Sequence, residues 1–250
     1  MQESVLCPRT EDTRNRSPMK SQDIVVLFKL ISLELRAKGE RVKKREFTFI
    51  NDEHDPWAQR IQHSDGTFSY IKTYQFSELE DWRGWDDRDE EVEKGNLQSY
   101  SVRALSSALG LSKTEVSSAL NRCRDIGLIY TNHSDGLPLV RSKALLDLVT
   151  YSIRYIFPAK PGPIVRGIPT AFAAPILAGK VMSGGDFMPV WPDAYGKSKG
   201  QEITPLYKTV PGAVKKDELL YHFLALVDAI RIGGPRETKV ADAMLREWIL

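Results

Sequence analysis

The stretch SVRALSSALGLSKTEVSSALNRCRDIGLI, residues 101–129, decides the fold. Two short helices are predicted in it, each preceded by a serine that can cap it, Ser101 and Ser112. Gly110 makes the turn between them, and Gly127 ends the second helix. The inward faces carry apolar residues at helical spacing: Leu105, Ala108, Leu109, Val116, Leu120 and Cys123. This spacing predicts a helix-turn-helix.

The outward face of the second predicted helix carries short or forked hydrogen-bonding side chains. Such groups can reach base edges in the major groove of double-stranded DNA. Basic side chains flanking the motif are candidates for phosphate contacts. The candidate DNA-binding residues are Arg103, Ser112, Lys113, Thr114, Ser117, Ser118, Asn121, Arg122, Arg124 and Arg141.

A hairpin is predicted directly after the motif. Residues 128–131 and 137–140 have the pattern of short strands, and the polar turn at 132–136 separates them. The hairpin would complete a winged helix, and Ser142 can cap a following helix that runs to about Phe157. Between residues 99 and 143 there are six basic and three acidic residues, so phosphate attraction is modest for one copy and a homodimer is expected.

The N-terminal half divides into a tail, a helix and an insertion. Residues 1–20 are polar and are interpreted as a flexible tail, and apolar positions from 24 to 35 predict a helix after Ser21. The winged-helix domain is predicted over 21–157, with an insertion at about 40–97. The insertion is β-rich: its alternating, aromatic-rich segments at 46–50 and 67–76 predict strands of a hairpin or small sheet, with a turn at 64–66. An acidic segment follows at 78–93.

The C-terminal region, residues 158–250, begins with a segment rich in proline and glycine. Residues 158–212 contain nine of the fourteen prolines and eight of the seventeen glycines. Loops and short strands are therefore expected, with room for a helix only around 171–181. Two helices are predicted at the end, over 216–232 and 236–249. This region is expected to serve dimerisation or contact with a protein partner. The predicted fold class is mainly α (α+β).

Composition excludes several classes of protein. The chain has 250 residues, 42% hydrophobic and 27% charged, with a formal net charge of +2, which indicates a soluble globular protein. No stretch is apolar enough for a membrane span or a secretion signal, so a cytoplasmic location without membrane contact is expected. Cys7 and Cys123 cannot build a disulfide framework, and Cys123 is expected to be a buried, reduced thiol.

No chemistry of an enzyme or a metal protein is predicted. The four histidines lack ligand spacing, and His222 is interpreted as a core residue, so no metal or other cofactor is expected. Gly196-Lys-Ser198 resembles part of a phosphate loop, but Trp191 stands where that loop needs a glycine. No serine sits in a nucleophile elbow, and no catalytic residue is assigned.

Several segments together resemble a known family. The motif at 101–129 and the segments 19–30, 155–158, 166–170, 189–193 and 224–228 are similar to a little-characterised bacterial family of MarR-like winged-helix DNA-binding transcriptional regulators. The resemblance covers about three quarters of the chain and implies a start near Met19. The sequence departs from the family in the insertion, and at Ser118, where such helices often carry arginine.

These observations favour a sequence-specific DNA-binding transcriptional regulator that acts as a dimer. An alternative is an antitoxin-like or defence-associated autoregulator whose C-terminal region binds a protein partner. A winged helix used only for protein contact is a further alternative. A hydrolase or transferase with its site in the proline- and glycine-rich segment is the hypothesis from the enzyme class, although no acid–base pair or nucleophile can be named for it.

Overall fold

A computed structural model describes residues 17–38, 59–62, 68–71, 85, 97–181 and 188–250. The described residues form a mixed structure of helices and small sheets, as the α+β prediction requires. The helices are α1 Ser21–Ala37, α2 Val102–Leu109, α3 Lys113–Asp125, α4 Ser142–Ile156, α5 Val210–Lys216, α6 Glu218–Ile232 and α7 Pro235–Ile249. The strands are β1 Gln59–Gln62, β2 Phe68–Ile71, β3 Ile129–Thr131, β4 Pro138–Val140, β5 Pro161–Pro169, β6 Pro189–Pro192 and β7 Ser198–Ile203.

Helix α6 is the centre of the core. Every residue from Leu219 to Arg231 is buried, because α1, α4, α5 and α7 all pack against this helix. A helix that is apolar around most of its circumference is stable only when other elements cover it on all sides. The same hydrophobic cluster continues through α1 into α2 and α3. The boundary predicted at residue 157 therefore does not separate two cores.

Helix α1 is joined to the C-terminal region by a buried network around Asp217, the N-cap of α6. The Asp217 carboxylate accepts hydrogen bonds from Lys29 Nζ at 3.0 Å, from Ser32 Oγ at 2.8 and 2.9 Å, and from Arg36 Nη2 at 2.9 Å. It also accepts one from the backbone N–H of Leu220. Burial alone would raise the pKa of Asp217, but the charges of Lys29 and Arg36 outweigh it and hold the pKa below its usual value.

The proline- and glycine-rich segment forms a small closed barrel of β5, β6 and β7. Strand β5 pairs antiparallel with both other strands, which pair parallel with each other. Glycine is needed where the strands approach most closely, since a Cβ on Gly167 would lie 2.0 Å from the carbonyl oxygen of Trp191. The helix considered for 171–181 is absent from the described part of this segment. Two 3-10 turns, Ala171–Ala173 and Pro175–Leu177, stand in its place, because Pro175 cannot donate the hydrogen bond that would continue a helix.

The C-terminal helices and the start of α4 can be compared with their predicted positions. The two C-terminal helices are confirmed, whereas Ser142 is the first residue of α4, and Arg141 is its N-cap. Strands β1 and β2 form an antiparallel pair with Gln62 opposite Phe68. Residues 1–16, the strand predicted at 46–50, the turn at 64–66 and the acidic segment apart from Trp85 lie outside the described residues.

Trp85 attaches the inserted segment to the C-terminal region. Its backbone forms an antiparallel bridge with Gly196, and its ring meets that of Tyr221 edge-on with the centroids 6.2 Å apart. Trp85 belongs to the acidic segment at 78–93, so these contacts anchor that segment at one position. None of the helices described here combines the length and the apolar character needed to cross a bilayer.

Candidate nucleic-acid interface

The turn between α2 and α3 is fixed by local hydrogen bonds. Ser101 Oγ accepts from the backbone N–H of Ala104 at 3.2 Å. Ser112 and Glu115 form a reciprocal capping box, each side chain accepting from the other residue's backbone N–H at 3.1 Å. Gly110 lies between the helices with φ +63°, in the left-handed region that favours glycine. Both predicted caps and the predicted turn are confirmed.

The inward faces of the two helices are also as predicted. All six apolar residues expected to face inward are buried: Leu105, Ala108, Leu109, Val116, Leu120 and Cys123. Burial raises the pKa of the Cys123 thiol to about 12, so this cysteine stays protonated at neutral pH. It is therefore a core residue with no accessible thiolate.

Nine of the ten candidate DNA-binding residues lie at or near the surface. Ser118 is half-buried, and the other eight are exposed: Arg103, Ser112, Lys113, Thr114, Ser117, Asn121, Arg124 and Arg141. On α3, Arg124 Nη1 donates a hydrogen bond to Asn121 Oδ1 at 3.1 Å. The outward face of α3 is thus polar and exposed along its whole length.

Arg122 is the exception, and its assignment as a DNA contact is wrong. The residue is only 7% exposed, and its guanidinium forms a two-bond ion pair with Asp23 of α1, which is fully buried. The Nε–Oδ2 distance is 2.9 Å and the Nη2–Oδ1 distance is 2.5 Å. Because α1 covers this side of α3, the Arg122 side chain holds two helices together and cannot reach a phosphate.

The hairpin after α3 is present with the predicted strands. Ile129 pairs with Val140 and Thr131 with Pro138, and Gly136 has φ +71° in the turn. The Arg141 guanidinium lies 5.5 Å from the centroid of the Tyr130 ring, a cation–π contact at the base of the hairpin. Arg141 is therefore both exposed and held in a defined position.

Residues 207–209 of the C-terminal region also contact the helix-turn-helix. The sequence did not indicate this contact. Tyr207 Oη donates to Glu115 Oε1 at 3.1 Å, and Thr209 Oγ1 donates to the carbonyl of Leu109 at 2.6 Å. Lys208, between them, is exposed. The hydrogen bonds from Ser112 and Tyr207 hold the pKa of Glu115 below its usual value. These partners are about a hundred residues apart in the chain, and no local pattern could have revealed them.

His222 and Gly196, which were considered as site residues, are both packed inside the fold. His222 is buried with its ring edge-on to Trp248, the centroids 5.7 Å apart, which confirms its interpretation as a core histidine. Gly196 is packed against the backbone of Gly167, where a Cβ would lie 2.2 Å from that backbone. Within the described ranges, no three His, Cys, Asp or Glu side chains are grouped so that they could hold a metal ion.

Comparisons of the chain with protein-family models, with curated proteins and with solved structures give no match.

Proposed function

We propose that the chain is a sequence-specific DNA-binding transcriptional regulator, and that residues 102–140 act as a winged helix with α3 in the major groove. One observation carries the proposal: a capped helix follows a glycine turn and exposes only polar side chains on its outward face. An α-helix of this kind fits the width of the major groove. The hairpin β3–β4 would then lie beside the groove as the wing.

The side chains on α3 divide by the contacts they can make. Thr114, Ser117 and Asn121 stand on the outward face and would meet base edges. Because Asn121 Oδ1 accepts from Arg124, the amide nitrogen of Asn121 is the group presented to a base. That nitrogen is a donor, and purine N7, guanine O6 and thymine O4 are acceptors in the major groove, whereas cytosine presents only a donor there. A purine or a thymine, and not a cytosine, is therefore the base expected opposite Asn121.

Phosphate contacts would come from basic side chains around α3. Arg103 precedes it on α2, Arg141 is held at the base of the hairpin, and Lys113 lies in its first turn. Lys208 joins this group because the bonds of Tyr207 and Thr209 fasten its segment to the α2–α3 turn. The proposed interface therefore includes one residue of the C-terminal region. With so few basic residues in each copy, we propose that the regulator acts as a homodimer.

The test is DNA binding measured by fluorescence anisotropy, with the upstream region of its own gene and a scrambled duplex of the same composition. Asn121→Ala should weaken binding to the upstream duplex by about 1–3 kcal/mol, with little change on the scrambled one. Arg103→Gln and Lys208→Gln should each reduce the salt slope by about one unit on both duplexes.

Lys239→Gln is the matched control, since Lys239 is exposed on α7, outside the motif. It should leave both the affinity and the salt slope unchanged. Two results would contradict the proposal: no preference of the unaltered protein for the upstream duplex, or an equal loss on both duplexes with Asn121→Ala.

A further inference from the structure

Helix α4 exposes an aromatic stripe at its surface, in which Leu148 is half-buried and also packs against the core. Ala144, Leu148, Tyr151 and Tyr155 are spaced at i, i+4, i+7 and i+11, which places them in one line along the helix. Tyr151 is 69% exposed and Tyr155 is 77% exposed. The opposite face of α4 packs mainly against α6 and α7. The four residues are called the α4 stripe below.

The α4 stripe is comparable in area to the largest exposed apolar patch on a typical monomer, about 300–600 Å², and such patches are often functional. An aromatic side chain buries about 150–250 Å² when it is covered, so the two tyrosines, at their present exposure, offer roughly 300 Å² on each copy. A stable interface takes about 800 Å² from each partner, so the tyrosines alone would supply more than a third of it.

We propose that a second copy of the chain docks on the α4 stripe, with the two α4 helices antiparallel across a two-fold axis. In that arrangement the axis passes between residues 149 and 150. Ala144 then lies opposite the partner's Tyr155, and Leu148 lies opposite the partner's Tyr151. Each large ring meets a smaller side chain, so the helices can approach to the usual 8–10 Å along the stripe. A two-fold interface requires this kind of self-complementary surface.

The distribution of charge also favours a second copy of the chain and an antiparallel arrangement of the two α4 helices. The α4 stripe contains no charged residue, so it offers no ion pair to a phosphate backbone. Lys143, exposed in the first turn of α4, would lie beside the C-terminal end of the partner's α4. The carbonyl end of a helix carries a partial negative charge that attracts a cation. A parallel arrangement would instead bring the two Lys143 side chains together.

The antiparallel pair also has a consequence that rests on the proposed function. Helix α4 begins two residues after β4, so the two winged helices would lie at opposite ends of the pair. From helix length and packing distance, the N-terminal ends of the two α4 helices are roughly 24 Å apart. The winged helices lie beyond those ends, which suits the 34–36 Å between half-sites one helical turn apart.

Cross-linking without DNA tests the interface directly. In a Cys7→Ser background, where Cys123 is buried, Ala144→Cys and Tyr155→Cys are made as separate proteins and treated with a short bis-maleimide. A mixture of the two should give a cross-linked dimer, and neither protein alone should. Identical positions on antiparallel helices are about 16 Å apart along the axis, at 1.5 Å per residue. Lys239→Cys, exposed on α7, is the control for random encounters.

Sedimentation equilibrium supplies an independent measurement. Tyr155→Glu should weaken the dimer at least tenfold. At a protein concentration low enough for both proteins to be monomeric, it should leave the urea unfolding midpoint unchanged, because Tyr155 is exposed in the single chain. Tyr195→Glu is the matched control, since Tyr195 is 60% exposed on the barrel side of the molecule and should have no effect.

Three outcomes overturn the interface: a monomer up to about 100 μM, equal effects of the two glutamate variants, or cross-linking of each cysteine variant only with itself. If the chain is monomeric, the α4 stripe would be a contact surface for a different protein. If each variant cross-links only with itself, the two α4 helices would be parallel. Neither readout involves DNA, so failure of the proposed function leaves this test unaffected.

Discussion

Arg122 and Arg124 are two residues apart on α3, and exchanging each for glutamine should have opposite effects. Arg122→Gln removes a positive charge that is paired with Asp23 inside the protein. Arg124→Gln removes one from the exposed face. The first variant should therefore lose stability and keep its salt dependence of DNA binding. The second should keep its stability and lose about one unit of salt slope if it contacts a phosphate.

The expected loss of stability follows from the burial of the pair. Asp23 has no exposed surface, and without Arg122 its carboxylate would retain only the backbone N–H of Lys20, at 2.9 Å, among the hydrogen bonds described. Removing one partner of a buried ion pair costs about 3–5 kcal/mol. This is a large part of the 5–15 kcal/mol by which a typical domain is stable. A substitution at the exposed Arg124 should change the free energy of unfolding by less than about 0.5 kcal/mol.

Urea unfolding followed by circular dichroism measures the free energy of unfolding, and the salt dependence of the fluorescence anisotropy measures the salt slope of DNA binding. Asp23→Leu combined with Arg122→Met is the control for the mechanism. It removes both charges and should recover most of the lost stability, because an apolar pair can replace a buried ion pair at little cost. A loss below 1 kcal/mol for Arg122→Gln, together with a reduced salt slope, would refute the assignment of Arg122 to the core.

Two further predictions concern the buried network around Asp217 and the close approach of the barrel strands at Gly167. Asp217→Asn should lower the free energy of unfolding by about 3 kcal/mol at pH 7. Folding lowers the pKa of Asp217, so the ionised carboxylate stabilises the protein above its unfolded pKa of about 3.9. That stabilisation disappears as the pH falls through the lower pKa of the folded state. Urea unfolding from pH 7 to pH 2.5 should show the gap to the unaltered protein closing below about pH 4, whereas a constant gap would contradict this origin. Gly167→Ala should cost at least about 2 kcal/mol in the same assay, because its Cβ would lie 2.0 Å from the carbonyl oxygen of Trp191. Gly212→Ala, in α5 with nothing within 4 Å of the added carbon, should be neutral or stabilising by up to about 1 kcal/mol, and equal losses at both positions would exclude the close approach as the cause.

Local interactions explain why much of the helix-turn-helix geometry could be predicted. The caps at Ser101 and Ser112 and the left-handed turn at Gly110 each involve residues within a few positions of one another. The inward faces follow from helical periodicity alone. The same reasoning was misleading at Ser142, where a good capping residue lies one position inside the helix, and at 171–181, where Pro175 interrupts the backbone hydrogen bonding.

The sequence by itself determined which residues form helices in the motif and which side of each helix is polar, because these properties depend on spacing along one segment. Only the tertiary structure decided which polar residues remain accessible. Arg122 is on a polar side of α3, yet α1 covers it through Asp23, 99 residues away. Tyr207 reaches Glu115 across 92 residues and adds Lys208 to the proposed interface. Accessibility depends on what packs against a residue, and the elements that pack here, α1 and the segment 207–209, come from distant parts of the chain.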